Sequence, residues 1–149
     1  MMEYNFENSI NHQIASVAAQ LRRLAFRLIS EKGLDITPEQ WVILYYLWLD
    51  DGLSLSELTK KSKKDFANTT RIIDKLCTAK YVVKQKSITD SRSYNIFLLP
   101  RAESIRQEVI TCWTEATAIF TNGLSEDEIN IFLKLLAKVE NNLSDAEKM

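Results

Sequence analysis

The stretch from Leu53 to Leu99 switches from helical to strand-like periodicity partway along, and that leaves few folds open to it. Ser54 and Glu57 stand at the spacing of a capping box, in which each side chain takes up a free backbone N–H of the other. A short helix therefore starts there, with Leu55 and Leu58 inward. Lys60-Lys61-Ser62-Lys63-Lys64 reads as the turn after it. Asp65 is the predicted N-cap of a second helix that opens Phe66-Ala67-Asn68-Thr69-Thr70-Arg71, with Ile72, Ile73, Leu76 and then Tyr81 on the buried side. Two runs rich in β-branched and aromatic residues follow, Tyr81–Lys84 and Tyr94–Leu99, as strands should be. Between them lies a polar loop, 85–93, with Thr89-Asp90-Ser91-Arg92 at its tip. Helix, turn, helix and two-stranded ribbon is the outline of a winged helix-turn-helix: an α+β fold, mostly helical.

Charge supports a function for this outline. The whole chain is nearly neutral at −1, which alone discourages a nucleic-acid reading. Residues 58–92, however, hold ten basic side chains against three carboxylates, a local charge of +7. That leaves nine against seventeen, or −8, for the remainder. A polyanion meets the local field, not the average. Small polar side chains in the first turns of an exposed helix do little for stability. They suit contacts to base edges, where Asn pairs bidentately with adenine and Arg with guanine. The expected DNA-contacting set is Phe66, Asn68, Thr69, Thr70 and Arg71 in the major groove, with Lys63, Lys64, Lys75, Lys84 and Lys86 on phosphates. Ser91 and Arg92 sit at the ribbon tip, where an arginine can enter a narrow minor groove. Asp90 is placed to hold that guanidinium in a charge-assisted pair.

Long helices flank the module. Ile10, Ile14, Val17, Leu21, Leu24 and Leu28 form one stripe, predicting a helix from about Glu7 to Lys32 that stops at Gly33. Thr37-Pro38-Glu39-Gln40 combines a cap, an N1 proline and a capping-box partner. It opens a helix apolar almost all round, and so predicted to be deeply buried. Pro100 opens a helix through Ile105, Val109, Trp113, Ala116 and Phe120, ending at Asn122-Gly123. Ser125 and Glu128 cap a last one carrying Ile129, Phe132, Leu135, Leu136, Val139 and Leu143. One small module cannot cover all these faces, whereas pairing them across a two-fold axis would bury them. The expected organisation is a single domain over 1–149, with 37–99 the DNA-binding lobe and 1–36 and 100–149 the dimerisation helices.

Other classes find little support. Only three glycines and two prolines argue against a turn-rich sandwich, and no apolar run is long enough to span a membrane. The start, Met-Met-Glu-Tyr-Asn-Phe, lacks the layout of a signal peptide, so the expected compartment is the cytoplasm. With one histidine, His12, and two cysteines without CxxC spacing, Cys77 and Cys112, no metal site, cofactor or disulfide framework is expected. No nucleophile accompanies His12 and no glycine-rich phosphate loop appears, so the chain does not read as an enzyme. The rival reading is a winged-helix module that docks an acidic protein partner without binding an operator.

From Leu58 to Val82 the sequence LTKKSKKDFANTTRIIDKLCTAKYV resembles the MarR family of bacterial transcriptional regulators. It shows the family's leucine, polar turn, hydroxyl-rich helix, Thr-Arg, Asp-Lys-Leu and apolar pair. Asp90-Ser91-Arg92 matches the wing's Asp-x-Arg, and the Leu124-Ser125-Glu126 start of the last helix also fits. The resemblance implies a winged-helix homodimer on a pseudo-palindromic operator, usually a repressor, relieved by a small aromatic or phenolic effector or by oxidation. It places an effector pocket between the dimer helices and the winged module, with Arg22, Trp41, Tyr45 and Trp113 as the nearby candidates. Lys80 stands where the family often has glycine, Lys63-Lys64 replaces a Gly-apolar pair, and Leu99 replaces a threonine cap. No cysteine lies in the first helix, where the family's peroxide sensors carry theirs. Cys77 and Cys112 therefore read as structural.

Overall fold

In the computed structural model the chain runs α1 (Ile10–Glu31), α2 (Pro38–Leu49), α3 (Leu55–Ser62), α4 (Phe66–Thr78), β1 (Val82–Lys86), β2 (Tyr94–Leu98), α5 (Pro100–Phe120) and α6 (Glu126–Glu147). The structure describes residues 5–149. Residues 1–4, part of the stretch inspected for a leader, lie outside the described residues. Among the described residues no helix is long and apolar enough to cross a membrane.

Local chemistry sets most of these boundaries. The Thr37/Gln40, Ser54/Glu57 and Ser125/Glu128 capping boxes are all closed in both directions. α1 starts later than expected because Ser9, not Glu7, caps it, its hydroxyl accepting the His12 N–H. It ends in a Schellman arrangement: the Leu34 N–H reaches the Ile29 carbonyl and the Gly33 N–H reaches Ser30, with Gly33 at φ 71°. Lys60 and Lys61 belong to the last turn of α3 rather than to the turn after it. There their charges complement the helix's negative end. The true turn is shorter, and Lys63 takes the left-handed conformation at φ 58°. Lys80, the other departure from a family glycine, does the same at φ 63°.

The ribbon is antiparallel, Val82 opposite Leu98 through Lys86 opposite Tyr94. β1 runs two residues further than expected because Gln85 and Lys86 find partners in Asn95 and Tyr94, which shortens the loop to 87–93. Its base is stitched to the segment before α3. The Ile96 N–H bonds the Leu53 carbonyl, Asn95 Nδ2 bonds the Gly52 carbonyl, and Asp51 Oδ1 accepts the Leu98 N–H. α2 packs against α1, α3, α4 and β2. Ile43, Leu44, Leu47, Leu58, Ile73, Leu76 and Ile96 are completely enclosed at this junction. α2 is not buried all round, since Tyr45 remains 46% exposed.

The chain divides into two units after Ala116, within α5. The second contains the end of α5 and all of α6, and no side chain of α6 is buried. Ile131, Phe132, Leu133 and Leu135 are each more than half exposed. In the first unit, Ile10, Ile14 and Val17 of α1 are likewise open.

Candidate nucleic-acid interface and effector pocket

The first turns of α4 are held by Asp65, whose carboxylate accepts the Asn68 N–H at 2.6 Å while its carbonyl accepts the Thr69 N–H. The five residues of α4 expected to face DNA do not all do so. Thr69 is a correction. It is completely buried, and its hydroxyl donates to the Asp65 carbonyl at 2.9 Å, because it lies three and four residues before Ile72 and Ile73 on the core face. Thr70 is only partly covered, and its hydroxyl is turned back to the Phe66 carbonyl at 2.8 Å. Asn68 and Arg71 form one unit, Arg71 Nη2 donating to Asn68 Oδ1 at 2.5 Å. Phe66 is 58% exposed at the first position of the helix. The outward face of α4 therefore consists of Phe66, Ala67, Thr70, Arg71, Asp74, Lys75 and Thr78, lining one shallow surface.

The basic residues divide in the same way. Lys75 and Lys86 are exposed, whereas Lys64 is half-buried beside α2. Lys84 pairs with Asp74 across the α4–β1 contact and lies 6.0 Å above the Tyr94 ring. The same pair screens a carboxylate that would otherwise repel phosphate from α4. At the wing tip Ser91 and Arg92 are exposed. Asp90 does not hold the Arg92 guanidinium: its carboxylate accepts the Arg92 backbone N–H at 3.0 Å, shaping the turn instead.

The four expected effector residues split into two places. Arg22 of α1 bonds Glu39 of α2 at 2.5 Å and borders a polar cavity of about 240 Å3 with Thr37, Gln40, Lys64, Asn68, Arg71, Ile72 and Lys75. Burial acts to raise the Glu39 pKa, but the Arg22 bond, helped by Lys64, brings it below the usual carboxylate range; Arg22 is raised in return. Trp41, Tyr45 and Trp113 do converge. Trp113 lies 5.1 Å from Trp41 and stacks on Tyr45 at 6.2 Å with the planes 4° apart. They line an apolar pocket of about 170 Å3, completed by Trp48, Val109 and Ile110, which sequence reasoning did not assign. The signal for Trp48 was its spacing, three residues after Tyr45 and seven after Trp41, which puts the three on one face of α2. Trp48 Nε1 is buried without a hydrogen-bond acceptor, a state that costs on the order of 1–3 kcal/mol.

A further cluster ties the winged module to the helices around it. Tyr81 donates its hydroxyl to Asp35, Arg101 bonds the other Asp35 oxygen at 2.9 Å and the Ala79 carbonyl, and its guanidinium lies 4.3 Å from the Tyr81 ring centre. The Tyr81 bond, with Arg101, lowers the Asp35 pKa; burial, reinforced by Asp35, pushes Tyr81 up to about 12. Burial also raises the pKa of both thiols, Cys77 and Cys112. Among the described residues no cluster of His, Cys, Asp or Glu is suited to a metal ion.

A sequence model described as the MarR family matches residues 36–94, the span from the start of α2 to the start of β2. An HTH-type transcriptional regulator of Bacillus subtilis, YsmB, itself uncharacterized, is 32% identical over 136 residues, covering 87% of this chain and 92% of that protein. BpsR of Bordetella bronchiseptica, in a structure on the regulation of its DNA binding by 6-hydroxynicotinic acid, superposes with a TM-score of 0.85 at 21% identity. The match covers 93% of this chain and 98% of BpsR. A mutant MarR from E. coli complexed with operator DNA superposes at 0.82 with 24% identity, covering 91% and 99%. At these identities the two structures speak for the fold alone.

Proposed function

This chain belongs to the MarR family of DNA-binding transcriptional regulators, and on that premise we propose that it is a homodimeric repressor of a pseudo-palindromic operator. It is a regulator and not an enzyme. The observation that carries the proposal is the start of α4, where the exposed Arg71 is joined to the half-buried Asn68, together with the exposed arginine at the wing tip. In this reading α4 enters the major groove by its first turns, Lys63, Lys64, Lys75 and Lys86 meet phosphates, and Ser91 and Arg92 reach the minor groove. The lobe 37–99 reads DNA, and 1–36 with 100–149 hold two copies together. The open apolar faces of α1 and α6 support that pairing. Two-fold symmetry then sets the reading helices about 34–36 Å apart, one turn of duplex. Such a regulator works in the cytoplasm, where its operator is.

The effector site of this proposal is the aromatic pocket of α2 and α5. Its volume is close to the roughly 150 Å3 that holds one benzene-sized ring, and the unpaired Trp48 N–H asks for an acceptor on that ring. A small aromatic molecule bound there releases DNA by favouring dimers whose reading helices no longer match the groove spacing. BpsR, whose DNA binding is regulated by 6-hydroxynicotinic acid, makes an aromatic effector a reasonable expectation.

The test is binding of the full chain to duplex from its own upstream region, across a salt series, for the natural protein and for Asn68→Ala combined with Arg92→Ala. Affinity should fall steeply with salt, by about 0.9 in log–log slope for each phosphate neutralised. The double variant should lose the operator while remaining a dimer. Equal affinity for operator and random duplex, or an unaffected double variant, refutes the reading and leaves an acidic protein partner as the occupant.

A further inference from the structure

We propose that α4 recognises thymine by its 5-methyl group, through an apolar ridge formed by Phe66 and Thr70; the inference rests on the operator-binding reading above. Phe66 is the first residue of α4, and more than half of it is in solvent. It has no local task that explains it. The cap belongs to Asp65, and the core face of the helix belongs to Thr69, Ile72, Ile73 and Leu76. Among the described residues its ring makes no aromatic or cation contact.

Thr70 lies one turn on, beside Phe66 on the same outward surface. Its sequence suggests a hydroxyl for base edges, but that hydroxyl donates to the Phe66 carbonyl at 2.8 Å. What remains to face outward is chiefly the γ-methyl. With Thr69 turned into the core as well, neither threonine offers its hydroxyl proton to a base. The polar reading of the groove falls to the Asn68–Arg71 pair, and the surface next to it is apolar. In the major groove only one base edge is apolar, the 5-methyl of thymine, and phenylalanine and the threonine methyl both suit it. Arg71, whose remaining guanidinium donors are open, stands beside that ridge and is suited to guanine O6 and N7. The half-site should therefore place a thymine next to the base pair that Arg71 reads.

The experiment selects bound duplexes from a random pool with the full chain. The best duplex is then remade with each thymine changed singly to deoxyuridine, which removes only the methyl. Natural protein should lose about fourfold in affinity at one position per half-site, the loss expected for one buried methyl-sized group, and about fifteenfold for the symmetric pair. Phe66→Ala or Thr70→Ser, the latter removing the methyl and keeping the hydroxyl, should bind thymine and uracil duplexes alike. Affinity unchanged at every deoxyuridine, with the selected duplex still preferred over random sequence, overturns the proposal and leaves operator binding standing. A methyl effect that persists in both variants overturns the assignment to this ridge. If no sequence is enriched from the pool, the operator-binding reading itself fails.

Discussion

Replacing Thr69 by valine separates a side chain that reads bases from one that packs the core. The hydroxyl lost by Thr69→Val donates to the Asp65 carbonyl, which also accepts the Thr69 N–H at 3.0 Å. No buried acceptor is orphaned, so the loss is one net hydrogen bond, about 0.5–1.5 kcal/mol. Burying a methyl in its place returns roughly 0.8 kcal/mol. Stability should thus change by less than about 1 kcal/mol, a midpoint shift of at most about 2–4 °C for a chain of this size. Because Thr69 is 0% exposed, operator affinity should stay within about twofold. A base-reading Thr69 predicts otherwise: losing its contact would cost on the order of 1–3 kcal/mol, about 5- to 150-fold in affinity. Fluorescence anisotropy on a labelled operator at fixed salt, with thermal melts at fixed protein concentration, measures both quantities. A Thr69→Val protein that melts normally yet binds as weakly as Asn68→Ala would refute the placement of this residue.

Three other expectations follow from single contacts. Lys86→Ala should lower the slope of log affinity against log salt by about 0.9 per protomer. Removing the matched pair with Asp74→Ala and Lys84→Ala together should leave that slope unchanged, and an equal drop would show that Lys84 meets DNA. Asp35 is held below its ordinary value of 3.8, so its contribution is present at neutral pH and disappears as pH falls through the lowered value. Denaturant melts should show the natural protein more stable than Asp35→Asn at pH 7, with the gap closing only below about pH 4; a constant gap argues against the linkage. Gly52→Ala should destabilise more than Gly33→Ala. Both have positive φ, a penalty of about 1 kcal/mol, but a Cβ at Gly52 meets the Phe97 ring at 2.8 Å while at Gly33 it meets nothing. Equal midpoint changes in urea would contradict this.

Elements written in local chemistry are legible without coordinates. The capping pairs Thr37/Gln40, Ser54/Glu57 and Ser125/Glu128 each involve residues three apart, so spacing alone implies the contact. The family resemblance marks Lys80 as standing at a glycine position, and the structure places it at φ 63°. Thr69 was legible as well, though only by setting hydroxyl chemistry aside for helical period, since it precedes Ile72, Ile73 and Leu76 by three, four and seven residues.

The order of helix, turn, helix and ribbon, the helix starts and the concentration of positive charge are thus determined by the sequence, because each depends on neighbours within about two helical turns. Which charges are free is decided by tertiary structure. Lys84 is matched by Asp74 ten residues away, and Arg22 is drawn to Glu39 across α1 and α2 rather than into the aromatic pocket. Val109 and Ile110 likewise join that pocket only because α2 packs beside α5. Those pairings depend on how helices are set against one another. That setting is fixed by the shape of the whole core, and no spacing along the chain encodes it.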